Sequence, residues 1–256
     1  MLGAIIGDIV GSRFEFHNTN AYGFVLFNEQ CSFTDDTICT IAIADAILNG
    51  ISYKDSTLYW CKKYPHPMGA YGASFSRWLT SSDHKPYNSF GNGAAMRVSP
   101  VGWAFDTLRE VERQAIETAV ITHNHPEGII GAMCIAQAIW MLHHEPNYAK
   151  TLSHLARLYY GTDYERTIPK CNTFDETCQG CVPLAFFILN KSNNFEDAIR
   201  KAITYGGDSD TLGAIVGSMA EAAFGIPDGY KKIALGFLPK EMQIVVNEFE
   251  RRYQHE

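Results

Sequence analysis

The sequence predicts an all-α protein, and three observations carry that prediction. Apolar residues recur at three- and four-residue spacing in segment after segment. Strand-like alternation is confined to residues 23–27. The Asn-Gly and Asp-Gly signals that would join alternating runs into hairpins are missing.

The elements follow in chain order. The opening MLGAIIGDIVGSRFEF is apolar, but it has no basic leader and is interrupted by Asp8, so it reads as a buried helix and neither as a signal peptide nor as a membrane span. Ile38, Ile41, Ala42, Ala46 and Ile47 mark the next helix, closed by Asn49-Gly50. Residues 81–100 and 161–177 are expected to be rich in loops. Pro126 followed by Glu127 opens a helix carrying Ile129, Ala132, Met133, Ala136 and Ile139. Leu212, Ile215, Val216, Met219 and Ala223 mark another, and Ile226-Pro227-Asp228-Gly229 is expected to separate the last two helices. Ten or more helices are expected, with no linker and no fixed-period repeat, so residues 1–256 read as one domain.

Composition narrows the function. A net charge of −7 with no clustered Lys or Arg leaves no footprint for a nucleic-acid backbone. No segment suits a membrane. Seven cysteines, an odd number, in a chain without a secretion signal point to the reducing cytoplasm.

Two acidic turns carry the chemistry. Phe33-Thr34-Asp35-Asp36-Thr37 directly precedes a helical run; alone it is explained by a Thr cap and two acids that complement the helix dipole. Tyr205-Gly206-Gly207-Asp208-Ser209-Asp210-Thr211 repeats that design before a second helix. It is no EF-hand, because Leu212 and Met219 stand where that loop needs ligands. Four carboxylates folded against one another would repel unless a cation lay between them. Donors drawn from Asp and Thr, with no His or Cys, favour Mg²⁺ or Mn²⁺ over Zn²⁺, and two ions suit the number of carboxylates.

Other features are less specific. Gly91-Asn92-Gly93-Ala94-Ala95-Met96-Arg97 can present backbone N–H groups and a guanidinium to a pyrophosphate, or be a simple turn; Tyr71-Gly72 is a weaker candidate of the same kind. His123 and His125 are two residues apart at a helix start, which does not put both rings on one face for zinc, so loop or ligand-facing roles are expected. Cys178 and Cys181 read as small buried hydrophobes, while Cys31 and Cys39 flank the first acidic turn. Asp8, on an apolar helix, must be paired or hydrogen-bonded, which suggests a structural carboxylate behind the site; Glu15 alone reads as a surface residue.

Taken together, Gly3-Ala4-Ile5-Ile6-Gly7-Asp8, the two acidic turns, the Gly-Asn-Gly loop and the Thr-His-Asn-His stretch at residues 122–125 resemble the ADP-ribosylglycohydrolase family from Gly3 to about Pro227. The resemblance implies an orthogonal multi-helix bundle with two Mg²⁺ or Mn²⁺ ions at the bottom of a cleft. It implies Thr34, Asp35, Asp36, Asp208, Asp210 and Thr211 as metal ligands, and Glu15 as a ligand or gate on a mobile flap. Tyr71, Gly72, Asn92, Gly93, Met96, Arg97, His123 and His125 would line the ADP-ribose site. The implied reaction is hydrolysis of the glycosidic bond between ADP-ribose and a modified protein or small molecule, with ADP-ribose as product. Asp35 or Asp36 would orient or deprotonate the attacking water, and Glu15 completes the catalytic set. A metal-dependent phosphoester hydrolase and a catalytically silent ADP-ribose binder are the alternatives.

Overall fold

The computed structural model describes residues 1–144 and 148–253. The helices are α1 (Leu2–Gly11), α2 (Asp35–Asn49), α3 (Tyr53–Lys63), α4 (Ala73–Thr80), α5 (Gly93–Arg97), α6 (Ser99–Ala104), α7 (Leu108–Ala119), α8 (Pro126–His144), α9 (Tyr148–Tyr160), α10 (Cys178–Asn190), α11 (Phe195–Tyr205), α12 (Ser209–Phe224), α13 (Asp228–Phe237) and α14 (Lys240–Tyr253). Short 3-10 turns occupy Ser12–Phe14 and Tyr164–Arg166. Among the described residues there is no strand, only an isolated antiparallel bridge between Gly91 and Thr177. No described helix is long and apolar enough to cross a membrane.

The centre of the fold is the antiparallel pair α1 and α12. All ten residues of α1 are buried, as are the first thirteen of α12, from Ser209 to Glu221. Helices apolar on every side have to be enclosed by other helices, and α12 packs on α1, α2, α5, α8, α10 and α11. Gly3, Gly7 and Gly11 of α1 lie against Gly217, Gly213 and Ser209 of α12, so the two backbones touch directly; a Cβ at Gly7 would overlap the Gly213 carbonyl.

Local chemistry explains the helix ends. The Thr34 hydroxyl accepts the Asp36 N–H at 3.2 Å and starts α2, which stops at Gly50 with φ of 63°. The Thr177 and Asn194 side chains cap α10 and α11 in the same way.

Three expectations need correction. Residues 23–27 form a loop, because the Tyr22 and Phe24 carbonyls are taken by Arg200 Nη1, at 2.9 and 2.7 Å, and not by a neighbouring strand. The stretch 81–100 is irregular up to Asn92 and helical only at its end: Ala94, Ala95 and Met96 are buried, and that packing winds α5 from Gly93, with α6 starting at Ser99. The expected break lies one helix earlier: residues 225–227 separate α12 from α13, Asp228 and Gly229 open α13, and α14 follows.

Candidate functional site

The α1–α12 contact brings Asp8, near the end of α1, beside the start of α12, and α2 begins against both. Asp8 is fully buried and accepts four hydrogen bonds: from Thr34 N–H at 3.0 Å, Thr34 Oγ1 at 2.8 Å, Thr37 N–H at 3.1 Å and the Thr37 hydroxyl. The first acidic turn is thereby tied to α1. Burial pushes the Asp8 carboxyl up to about 6 against the pull of these four donors.

Asp36 is the next layer. Its Oδ2 accepts from the hydroxyls of Thr34 (3.4 Å) and Thr211 (3.1 Å), one from each acidic turn. Oxygens of Asp8, Asp36 and Asp210 lie within 4.8 Å of one another, as do those of Glu15, Asp208 and Asp210. Asp208 Oδ2 accepts from Asn92 Nδ2 at 2.6 Å.

Burial raises every carboxyl involved, and neighbouring anions add to it at most of them. Burial, and then the neighbouring anions, hold Asp36 and Asp210 well above the usual carboxylate range. Burial also raises Asp208. Glu15 is pushed up to about 7 by burial, then by Asp208, Asp8 and Glu176. Asp35 is raised by burial, then by Cys39 and the surrounding carboxylates.

The donor set fits a divalent cation. Asp36 Oδ1, Asp210 Oδ1 and Glu15 Oε2 are buried and have no hydrogen-bond partner. Among the described residues none of Asp8, Glu15, Asp35, Asp36, Asp208 and Asp210 forms an ion pair. Orphaned carboxylate oxygens from three separate segments cost free energy unless a cation satisfies them, and an all-oxygen set suits Mg²⁺ or Mn²⁺.

A cleft of about 420 Å³ opens above these groups. Glu15, Asp35, Asp36, Asp208, Asp210 and Thr211 form its floor on one side. Tyr71, Gly72, Asn92, Gly93, Met96, Arg97 and His123 line the rest, together with Phe16, Tyr87, Phe174 and Glu176, which the sequence reading did not single out. Thr34 lies beneath the floor, completely buried. His125 is not among the lining residues: its ring packs against Phe90, with centroids 5.4 Å apart, and its Nδ1 accepts the Glu127 N–H.

Gly93 lets His123 come close, since a Cβ there would be 3.2 Å from the imidazole. His123 Nδ1 is 2.7 Å from the Thr122 hydroxyl. Burial, then the Arg97 charge, hold its imidazole well below the usual histidine range. Arg97 is itself buried; one guanidinium nitrogen donates to Thr118 O and Thr122 Oγ1, both at 2.9 Å, and its Nε has no partner. Asn92 starts α5, yet its side chain serves Asp208. Cys178 and Cys181 are buried free thiols in the first turn of α10. Cys39 is buried 3.8 Å from Cys61, and that contact, then burial, pushes its thiol up.

The chain matches the model of the ADP-ribosylglycohydrolase family over residues 1–240. Relatives include ADP-ribosylhydrolase ARH3 of Mus musculus, 22% identical over 99% of this chain and 90% of the relative. ADP-ribosyl-[dinitrogen reductase] glycohydrolase of Rhodospirillum rubrum is 26% identical over 98% of this chain and 92% of the relative. A solved structure described as an ADP-ribosylglycohydrolase-related protein complex superimposes with a TM-score of 0.76 at 22% identity, over 98% of this chain and 95% of that one.

Proposed function

This chain belongs to the ADP-ribosylglycohydrolase family, and from that premise we propose that it is a Mg²⁺- or Mn²⁺-dependent hydrolase that cleaves the glycosidic bond between ADP-ribose and a modified protein side chain or small molecule. One observation supports this reading above the others: the unpartnered oxygens of Asp36, Asp210 and Glu15 converge under the cleft that the Gly91, Gly93 and His123 segment encloses.

The proposed ligands are Thr34, Asp35, Asp36, Asp208, Asp210 and Thr211, with Glu15 closing the set. Two bound ions would supply Lewis acidity and lower the pKa of a water near the anomeric carbon. The chain's own residues do the rest. Asp8 fixes Thr34 and Thr37, and through Thr34 the rotamer of Asp36. Asn92 orients Asp208. Asp35 lines the cleft and, among the described residues, makes no hydrogen bond, whereas Asp36 is committed to two hydroxyls. Asp35 is therefore the better placed of the two to take a proton from water. The backbone of α5 would face the ADP-ribose phosphates, with the buried Arg97 charge, anchored on Thr118 and Thr122, behind it. Neutral His123 offers a ring nitrogen for a hydroxyl or phosphate oxygen.

The relatives' names differ in acceptor, naming dinitrogen reductase in one and arginine in another. The test is a panel of ADP-ribose conjugates of arginine, serine, a nucleic-acid end and a small molecule, with a phosphate ester as control, in Mg²⁺, Mn²⁺ or chelator. Release of ADP-ribose from at least one conjugate, abolished by chelator, is expected. Hydrolysis of the phosphate ester alone, or release that ignores the chelator, overturns the reading.

A further inference from the structure

Glu15 reaches the floor of the cleft from a segment with no regular structure: the 3-10 turn ends at Phe14, and the chain then runs as a loop to Thr34. Its side chain nevertheless comes within 4.8 Å of oxygens of Asp208 and Asp210. Like charges at that separation push apart, so a connection other than the carboxylates themselves has to hold them together.

Of the contacts that join the two segments, the one that grips the residues next to both carboxylates is that of Asn18. Its Nδ2 donates to the carbonyl of Phe14 at 2.8 Å, the residue immediately before Glu15. The same amide reads both main-chain groups of Gly207, the residue immediately before Asp208: Nδ2 donates to Gly207 O, and Gly207 N–H donates to Oδ1, each at 2.9 Å. A third contact joins Nδ2 to Ser209 Oγ at 3.2 Å. An amide is the one short neutral side chain with a donor and an acceptor on one edge, matched to a peptide's own pair. The turn is shaped for it: Gly206 and Gly207 have φ of 79° and 88°, and a Cβ on Gly206 would lie 3.1 Å from Asn18 Oδ1 and collide with Asn172.

We propose that Asn18 is the positioning residue that sets Glu15 against Asp208 and Asp210, so that the loop and the second acidic turn act as a single cation-binding unit. The inference rests on the reading of Glu15 as a cation ligand. Asn18 is not among the residues lining the cleft; it acts through the backbone just before each of Glu15 and Asp208 and through the Ser209 hydroxyl.

The test is Mn²⁺ binding to the full chain, measured by calorimetric titration without substrate, for wild type, Asn18→Ala, Glu15→Gln and the double variant. Unfolding in chelator provides the check on folding. Outer residues that orient metal ligands change affinity by about 10- to 100-fold, so a loss of about tenfold is expected for Asn18→Ala. The double variant should bind like Glu15→Gln alone, because without the Glu15 carboxylate there is nothing for Asn18 to position. Equal losses from Asn18→Ala in both backgrounds would mark it as a plain loop anchor and overturn the proposal. Tight binding by Asn18→Ala beside weak binding by Glu15→Gln overturns it while leaving the ligand reading standing; undiminished binding by Glu15→Gln removes both. Should the alanine variant fail to fold, Asn18→Asp, which still accepts the Gly207 N–H but cannot donate to Phe14 O, takes its place with the same expected outcomes.

Discussion

A Cβ on Gly213 would lie 2.6 Å from the carbonyl oxygen of Gly7, closer than real Cβ atoms approach any heavy atom. The obstacle is backbone on both sides, so no side-chain rotation can relieve it. Gly7→Ala should therefore cost about 3 kcal/mol of stability, at the upper end for overpacking, and loosen the α1–α12 contact that sets Asp8 beside Asp210. Gly236→Ala in α13 meets nothing within 4 Å and should be neutral or slightly stabilising. Urea unfolding of both variants decides this; equal midpoints would remove the glycine contact as the basis of the site.

The two acidic turns were legible because capping is local: Thr34, Asp35 and Asp36 sit within one helical turn, and so do Asp208, Asp210 and Thr211. The work of Asp8 was only partly legible. That a buried Asp must be hydrogen-bonded follows from sequence, but its four donors come from the packing of α1 on α2. A signal for the central packing did lie in the sequence, in Gly3, Gly7 and Gly11 at four-residue spacing, answered by Gly213 and Gly217. Nothing local could place Glu15, whose position depends on an Asn18–Gly207 contact spanning 189 residues. The fate of the two histidines was equally hidden: Gly91 and Gly93 admit His123 to the cleft, whereas Phe90 takes up His125.

Asp36→Asn should separate binding from folding. Its carboxyl is raised because burial and neighbouring anions disfavour the charge, so in chelator the amide should leave the unfolding midpoint unchanged or higher. At a Mn²⁺ concentration about 100 times the dissociation constant, the wild type should gain about 2.7 kcal/mol and the variant much less. ADP-ribose release should fall with it. A variant stabilised by Mn²⁺ as much as the wild type would remove Asp36 from the ligand set.

Asp8→Asn should behave in the opposite way. Asp8 accepts from two N–H and two O–H groups, and an amide NH₂ would face two of those donors. Unsatisfied buried donors cost about 1–3 kcal/mol, so this variant should be less stable in chelator as well as in Mn²⁺. Thermal unfolding without metal checks it, and a midpoint matching that of Asp36→Asn would mean Asp8 is a ligand first and a scaffold second.

The buried His123 gives a dependence on pH whose sign can be worked out. An unfolded imidazole titrates near about 6.5, while burial and the Arg97 charge hold the folded one well below that. Below pH 6.5 the unfolded chain takes up a proton that the folded chain does not, so this contribution to stability is present above 6.5 and lost as pH falls. Between pH 7 and pH 5 the loss amounts to roughly 2 kcal/mol for a ring that stays neutral throughout. His123→Gln lacks the titrating group, so the stability difference between wild type and variant should move by that amount in favour of the variant on acidification, with all other titrating groups cancelling. Urea unfolding of the pair at pH 5, 6 and 7 measures it. A difference independent of pH would mean that the His123 imidazole titrates alike in the folded and unfolded chain, and a shift in favour of the wild type on acidification would mean that it is held charged in the fold; either result overturns the neutral ring.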